Sequence, residues 1–239
     1  MLDYDQEAAR YDATRGGEPR ARAAADAVLG LVPPGAHTLL DLACGTGIVT
    51  RRMTRTGLRP FGVDRASGML RAAAPRLSGA AFQADARRLP FADATFDAVT
   101  AVWLLHLLDD AAPVIAEAAR VLRPGGVLVT TVDKAAAHLV GSDICALVAP
   151  HGSRRPPSDA TARITQLAAG HGLRPSGAAT FTGHGQGRVP AKLAREVRAG
   201  RIYAKGGEEL AARLEALPDQ EAPRPDPTYH VVAFSRPPS

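Results

Sequence analysis

The chain has 239 residues and a net charge of +5, from 29 basic and 24 acidic side chains. It contains no run of about 18 or more apolar residues, which predicts that nothing spans a membrane, and its N-terminus lacks the pattern of a secretory leader. Two cysteines, Cys44 and Cys145, are too few for a disulfide framework or a metal cluster, so we expect a cytoplasmic protein without a metal.

The first predicted strand, Leu39 to Leu42, ends in a turn with two glycines. Its apolar run is typical of a buried parallel strand, and Gly45 and Gly47 would let the backbone approach a ligand. Free amides of a helix predicted from near Ile48 would then face an anionic group. The dinucleotide fingerprint has a third glycine where Thr50 stands, so an ordinary strand-to-helix turn is an alternative.

Three further apolar runs are predicted to be strands with polar residues at or near their ends. Asp64 closes the second strand 17 positions after Gly47, near the offset of roughly 20 residues at which an acidic side chain meets ribose hydroxyls. The three predicted strands are Phe61 to Asp64, Ala81 to Asp85 and Phe96 to Val102.

A helix predicted from Asp109 or Asp110, with Pro113 in its first turn, separates the fourth strand from a fifth, Val127 to Val132. Strands and helices therefore alternate, which predicts an α/β fold with a doubly wound, mostly parallel, Rossmann-like sheet. Ligands of such sheets bind beyond the carboxyl ends of the strands, where the strand order switches.

Four motifs in this order resemble those of class I S-adenosylmethionine-dependent methyltransferases. They are residues 41–47, Asp64 with Met69, Asp85-Ala86 before Leu89-Pro90-Phe91, and residues 122–126. The resemblance covers about residues 36–133, and residues 4–12 resemble the N-terminal cap segment of the family. It implies S-adenosylmethionine as the cofactor and S-adenosylhomocysteine as the product.

The resemblance also implies how the glycine turn and the second strand bind the cofactor. Asp41 and the turn from Ala43 to Gly47, with Cys44 and Gly45, would hold the methionine part, because the turn amides meet its carboxylate. Asp64 would accept hydrogen bonds from both ribose hydroxyls, since an ionised carboxylate has enough acceptor sites.

Adenine binding is implied for the next strand ends. Met69 would pack on the ring, Asp85 would accept from the amino group, and the Ala86 amide would lie beside it. Arg65 and Val102 complete this predicted set. Taken singly, an aspartate here has another interpretation, a cap of the next helix, and Met69 has another as a core residue.

The N-terminal cap is expected to close over the bound cofactor. Tyr11, with Tyr4 and Arg15, would make this contact, and these assignments rest on the resemblance alone.

The residues after the fourth strand bear on the methyl acceptor. Methyltransferases of DNA amino groups carry Asn or Asp, two prolines and an aromatic residue there, whereas this chain has Val102-Trp103-Leu104-Leu105-His106. Neither cysteine has the context of a pyrimidine-activating nucleophile. A small-molecule acceptor remains, and His106 is the candidate general base; alternatively, it caps or packs against the following helix.

The excess of basic residues does not predict a nucleic-acid partner. The basic residues are spread along the chain, whereas phosphate binding needs a clustered basic surface. Arg51, Arg55 and Arg59 recur every four residues, which is typical of the solvated face of one helix.

The C-terminal third is expected to contact the acceptor. We predict helices over 138–149, 161–169 and 190–217, a loop through Pro157 that covers the site, and strands over 177–182 and 229–234, the last of them antiparallel between its neighbours. The sheet then has seven strands. His151, His184 and Tyr203 are possible acceptor contacts or bases, and no spacing argues for a metal site.

The sequence therefore predicts a cytoplasmic S-adenosylmethionine-dependent methyltransferase of the quinone and natural-product type, acting on O, N or C of a small metabolite. We expect one domain, with an N-terminal cap over 1–35, a cofactor-binding core over 36–133 and a lid, helical insertion and final strands over 134–239, as a monomer or homodimer. Two alternatives stay open, a tRNA-modifying methyltransferase and a cofactor-binding regulator without turnover.

Overall fold

The computed structural model describes residues 4–138, 141–151, 156–203 and 206–238, and a seven-stranded sheet forms its centre. The strands are β1 Thr38–Leu42, β2 Arg59–Asp64, β3 Ala81–Gln83, β4 Phe96–Ala101, β5 Leu122–Val132, β6 Arg174–Thr182 and β7 Thr228–Ser235. Their order across the sheet is β3-β2-β1-β4-β5-β7-β6. The first five pair in parallel, and β7 runs antiparallel to both β5 and β6. The predicted fold class is confirmed.

Helices connect the strands and cover the sheet. They are α1 Tyr4–Thr14, α2 Gly17–Leu29, α3 Ser67–Arg76, α4 Ala112–Val121, α5 Lys134–Ala137, α6 Asp143–Val148, α7 Thr161–Gly170, α8 Pro190–Arg198 and α9 Gly207–Glu215. Short 3-10 helices span Thr50–Arg52, Leu105–Leu107 and Ala149–His151.

Neighbouring residues of the central strands pack on opposite faces of the sheet. Leu40 and Val99 belong to a buried cluster that also holds residues of α4 and α7, whereas Leu39 and Ala98 belong to a second cluster with residues of α2. Strands that are covered on both faces are apolar along their whole length. This two-sided burial explains why β1 and β4 stand out in the sequence.

Helices α6, α8 and α9 share a separate hydrophobic cluster beyond the sheet. Its buried residues include Ile144, Leu193 and Leu210, which alternate with polar residues at helical spacing. The Arg224 guanidinium ties this cluster to the chain before β7 through two hydrogen bonds, of 2.7 and 2.8 Å, to the Asp143 carboxylate. The division of the chain into cap, core and acceptor-binding part stays a prediction.

The prediction of an α-helix directly after the glycine turn is wrong. Only the single 3-10 turn Thr50–Arg52 forms there, because the consecutive β-branched residues Ile48, Val49 and Thr50 disfavour an α-helix. The predicted arginine face is wrong as well, since Arg59 begins β2 and Arg55 donates to the carbonyl oxygens of Val32 and Pro33.

Other boundaries also differ from the expectation. The helix predicted over 138–149 is replaced by α5, α6 and a 3-10 turn, and β3 ends at Gln83 rather than Asp85. The helical insertion over 190–217 consists of two helices, α8 and α9. Part of the loop predicted to cover the site, residues 152–155, lies outside the described residues. Within the described ranges, no helix is long and apolar enough to cross a membrane.

The glycine turn packs tightly on β2 and α3. A Cβ atom added to Gly62 would lie 2.7 Å from Cys44 Sγ and 3.0 Å from Leu77 Cδ1. One added to Gly47 would lie 3.2 Å from Ala73 Cβ. These two glycines therefore set how closely β1, β2 and α3 approach each other.

We predict that Gly62→Ala lowers the free energy of unfolding by about 1–3 kcal/mol, because the added methyl group overpacks the contact with Cys44. Gly35→Ala is the control, since nothing lies within 4 Å of its added Cβ, and we expect a change within about 0.5 kcal/mol. Urea unfolding curves measure both values. Equal stabilities of the two variants would contradict this packing.

Candidate functional site

The strand order switches direction between β1 and β4, so the loops that follow these two strands diverge and leave a crevice at their carboxyl ends. The glycine turn follows β1, and Trp103 follows β4. Because β7 is antiparallel, its first residues lie at the same edge as the end of β5, with His230 opposite Val132. Residues from distant parts of the chain therefore meet at this edge.

The glycine turn has an unusual backbone. Ala43, Gly45 and Gly47 all have positive φ values, of 57°, 57° and 74°, a conformation that glycine adopts without cost and alanine does not. An added Cβ at Gly45 would meet nothing within 4 Å. The turn therefore presents open space above Gly45, which a ligand can fill.

The Asp64 carboxylate links the glycine turn to the start of α3. Its Oδ2 accepts a hydrogen bond of 2.8 Å from the Gly45 amide, and its Oδ1 accepts one of 2.8 Å from the Ala66 amide. Burial raises the pKa of Asp64, while the amide hydrogen bonds oppose that shift. Each oxygen keeps a free lone pair, so the carboxylate can still accept from a ligand hydroxyl.

Asp41 lies deeper, between β1 and β4. The Thr50 hydroxyl donates to Oδ2 at 2.5 Å, and the Thr100 hydroxyl donates to Oδ1 at 2.7 Å. Burial raises the pKa of Asp41 to about 6, against the effect of both hydrogen bonds. Asp41 is 3% exposed, so its role in binding the cofactor stays a prediction.

The residues predicted to bind adenine lie on the neighbouring strand ends. The Asp85 carboxylate is held by Arg87, whose guanidinium donates at 2.6 Å, and this contact lowers the pKa of Asp85 to about 2. Ala86 follows it directly, Arg65 is exposed, and Met69 is buried in α3. Among these residues, Met69 contributes to the packing of the chain itself.

Two further residues that were predicted to bind the cofactor, Cys44 and Val102, are buried. Cys44 packs against Gly62, and burial raises the pKa of its thiol, which is therefore protonated. Val102, at the end of β4, belongs to the cluster that faces α2.

Helix α1 docks on the glycine turn and on α3. The Thr46 hydroxyl donates to Asp12 at 2.6 Å, and Arg76 donates both to Asp12 at 2.7 Å and to the Thr46 carbonyl at 2.9 Å. At the other end of α1, Asp5 accepts from the Gly68 amide at 2.5 Å. The sequence analysis missed Asp12, although it stands in the quoted cap segment.

The aromatic residues of α1 contact one another and nearby arginines. The Tyr4 and Tyr11 ring centroids are 6.2 Å apart, and Arg15 Cζ lies 5.6 Å from the centre of the Tyr11 ring. Tyr11 also forms a hydrogen bond with Arg20. The three predicted cap residues therefore form one group beside the turn.

Trp103 follows β4 with a φ of 56°, a conformation in which a bulky side chain is strained. Strain of this kind concentrates at functional sites. Its backbone amide donates to the Thr131 hydroxyl at 2.7 Å, and its indole Nε1 is buried without a partner within the described chain. Its ring stacks edge-on against Phe181 and Tyr229, with centroids 5.5 Å away in both pairs.

His106 lies in the 3-10 turn after Trp103, and its Nδ1 is buried without a partner among the described residues. Burial, followed by the charges of Lys134 and His138, lowers its pKa to about 3. The imidazole is therefore neutral at pH 7. Nearby, Ser158 donates to the Leu105 carbonyl at 2.7 Å, which places the chain before α7 against this turn.

Lys134, His138, Asp159 and Tyr229 complete this region, and the sequence analysis missed all four. Tyr229 Oη and His138 Nε2 share a hydrogen bond of 2.9 Å. The Lys134 amide donates to Asp159 Oδ2 at 2.9 Å, while Asp159 Oδ1 is buried without a partner in the described ranges. One signal was available, since Lys134 is one of three lysines and lies two residues after β5.

The other possible acceptor contacts lie farther out. His151 packs against Tyr203, with ring centroids 6.4 Å apart, and Tyr203 accepts from Arg188 at 3.4 Å. His184 is exposed, 3.9 Å from the Asp226 carboxylate. The structure thus brings His106 to the strand edge, whereas His184 stays at the surface.

Comparison with known proteins gives the chain a context. Residues 40–130 match a family model described as a methyltransferase domain. A ubiquinone/menaquinone biosynthesis C-methyltransferase of Desulfotalea psychrophila is 43% identical over 133 residues, 52% of this chain and 53% of that protein. A demethylmenaquinone methyltransferase of Mycolicibacterium paratuberculosis is 39% identical over 135 residues, 53% of this chain and 56% of that protein. The chain spans about half the length of the curated relatives it matches.

A solved structure, that of the cyclase SpnF, superimposes over 99% of this chain and 94% of that chain, with a TM-score of 0.62 and 21% identity. At this identity the likeness shows the fold alone. The resemblance to S-adenosylmethionine-dependent methyltransferases, inferred from four motifs, is confirmed by the family match.

We predict that Asp41→Asn is more stable than the natural chain at neutral pH. With its pKa raised to about 6, folded Asp41 binds a proton more tightly than unfolded Asp41, so its contribution to stability falls as pH rises from about 4 to about 6. Asparagine removes this loss, and the variant should gain about 1–3 kcal/mol at pH 7.5, but little at pH 4. Urea unfolding at both pH values measures the gain. An equal gain at the two pH values would contradict a buried, titrating carboxyl group.

Proposed function

Because residues 40–130 match a family model described as a methyltransferase domain, we propose that this protein transfers a methyl group from S-adenosylmethionine to a small aromatic acceptor of the quinone type. The observation that carries this proposal is the Asp64 carboxylate, which is hydrogen-bonded to the amide of Gly45. One carboxylate and one open glycine turn are thereby held side by side, as a ribose with an adjoining amino-acid group requires.

The residues present fit this cofactor. The open space above Gly45 admits its methionine part, the free lone pairs of Asp64 suit two ribose hydroxyls, and buried Asp41 supplies a negative charge behind the turn. When bound, S-adenosylmethionine supplies a methyl group on a positively charged sulfur that is already a good leaving group. The work left to the protein is to align the acceptor and to exclude water.

Transfer to a ring carbon of a reduced quinone is the reaction we propose, because the curated relatives are named for quinone methylation. The aromatic wall of Trp103, Phe181 and Tyr229 would meet a flat acceptor through Trp103, because the other two rings are buried behind it. His106 stands beside this wall as a neutral imidazole and is proposed to receive a hydrogen bond or a proton from the acceptor. A place in secondary metabolism stays a prediction.

A tRNA substrate is the weaker alternative, since it needs an uncompensated basic surface. One groove is lined by several arginines, namely Arg22, Arg51, Arg52 and Arg76. Arg51 and Arg52 pair with Glu18, and Arg76 pairs with Asp12. These ion pairs leave little charge for a phosphate backbone, which favours a small acceptor.

The first test is calorimetry with S-adenosylmethionine and, separately, with NAD. We expect binding of the first and none of the second. Asp64→Ala should weaken S-adenosylmethionine binding by about ten- to hundredfold, because hydrogen bonds to a charged group are lost. Asp109→Ala, which removes an exposed carboxylate, is the matched control and should bind normally. Unchanged affinity in Asp64→Ala would refute the ribose assignment.

The second test concerns His106, and it needs an acceptor from a metabolite screen that follows the loss of S-adenosylmethionine. We expect His106→Ala to lower turnover by about a hundredfold or more, as removal of a general base does, while the affinity for S-adenosylmethionine stays the same. His37→Ala is the control, because His37 is exposed and directly precedes β1, at the end of the strand opposite to the glycine turn. A normal rate in His106→Ala would dismiss a role in proton transfer.

A further inference from the structure

Four cationic side chains meet at the carboxyl edge of the sheet, and within the described chain none of them forms an ion pair with a carboxylate. They come from four places in the chain: the link between α1 and α2, α2 itself, the first residue of α5 and the loop before α8. The residues are Arg15, Arg20, Lys134 and Arg188.

The fold places the loop before α8 directly on the junction of α1 and α2. A Cβ added to Gly16 would lie 1.9 Å from the His184 carbonyl oxygen, and one added to Gly185 would lie 3.1 Å from Gly16 Cα. Contact this close requires glycine at both positions. It holds Arg188 on the same side of the molecule as Arg15.

These cations are partly removed from water. Arg20 is 7% exposed, and its Cζ lies 4.0 Å from the centre of the Trp103 ring. Arg15 Nε and Arg188 Nη1 are buried without a partner among the described residues. A buried donor without an acceptor costs free energy, and more when it is charged. A ligand that accepts hydrogen bonds would recover this free energy.

The charges also repel one another. Burial lowers the pKa of Lys134, and the charges of Arg15, Arg20 and Arg188 lower it further, while Asp159 has the opposite effect. The pKa of His138 is lowered to about 4 by burial and then by Arg188 and Lys134. Like charges held together in this way favour binding of an anion.

The cofactor alone cannot balance these four charges. S-adenosylmethionine carries a sulfonium and an ammonium group against one carboxylate, so its net charge is positive. That single carboxylate can pair with Arg15, the cap residue expected to contact the cofactor, which leaves Lys134 and Arg188 without an acceptor. Its arrival therefore increases the positive charge at this edge, which leaves the acceptor as the source of negative charge.

We propose that the methyl acceptor is an aromatic anion, with a carboxylate or acidic hydroxyl held by Lys134 and Arg188 and a ring that lies against Trp103. The inference rests on the proposed function and adds the charge of the substrate to it. The Arg20 guanidinium stacks on the indole ring of Trp103 and thereby holds that indole in position. The bound anion neutralises Lys134 next to His106.

The experiment compares two probes of nearly equal size and shape, the anionic 1-hydroxy-2-naphthoate and its neutral amide, 1-hydroxy-2-naphthamide. Both are titrated calorimetrically into the full chain saturated with S-adenosylhomocysteine. We expect the carboxylate to bind at least about tenfold more tightly than the amide, as a charged hydrogen-bonded contact provides.

Variants assign this preference to its residues. Lys134→Met and Arg188→Met should each reduce the preference by about tenfold, and Arg188→Lys should restore part of it. Lys192→Met and Arg195→Met remove exposed cations of α8 and should leave the preference intact. Thermal unfolding of each variant shows whether it is folded, and the affinity for S-adenosylhomocysteine should be unchanged in all of them.

The possible results separate the two proposals. Equal binding of the two probes, or no binding of either, by a chain that binds S-adenosylhomocysteine overturns the anionic acceptor alone. A preference that persists in the folded double variant of Lys134 and Arg188 overturns it as well. A chain that does not bind S-adenosylhomocysteine at all overturns the proposed function.

Discussion

The contact between the Asp64 carboxylate and the amides of Gly45 and Ala66 determines the geometry of the whole functional edge. It joins the turn after β1 to the start of α3, at hydrogen-bond distances of 2.8 Å on both sides. Without it, two positive helix and turn ends would face each other without a negative group between them. Helix α1 can dock through Asp12 only because this arrangement already holds Thr46 and α3 together.

Several features at the carboxyl edge of the sheet destabilise the folded chain. Burial raises the pKa values of Asp41 and Asp64, Ala43 and Trp103 adopt left-handed backbone conformations, and buried donors lack partners. Each feature costs free energy in the ligand-free chain. The opposite end of the sheet shows the reverse, since Asp97 there accepts hydrogen bonds from His37, Thr38 and Arg123. Buried polar atoms without a partner in the described chain gather at the carboxyl edge, which is consistent with a site that ligands complete.

Sequence patterns predicted what depends on local chemistry. Buried parallel strands are apolar throughout, so β1, β4 and β5 could be found, and the turn glycines could be read because only their backbone freedom permits such a bend. The 3-10 turn at Thr50 was missed although its β-branched neighbours disfavour a helix, and the hydrogen bond from Thr50 to Asp41 that holds the turn is a tertiary contact. Lys134 and Arg188 were missed for a related reason. They are 54 positions apart in sequence, and the antiparallel insertion of β7, together with the Gly16 contact, brings them together.

The electrostatics of the edge connect the two ligands. Asp41 and Asp64 place negative charge at the glycine turn, on the β1 and β2 side, whereas Lys134 and Arg188 place positive charge at β5 and the loop before α8. A cationic cofactor and an anionic acceptor each bind at the side of opposite charge, and each lowers the electrostatic cost of binding the other. The methyl group then lies between them, where attraction between the two ligands shortens the path of transfer. Alignment of this kind supplies much of the rate, and the neutral imidazole of His106 adds a proton acceptor beside the bound ring.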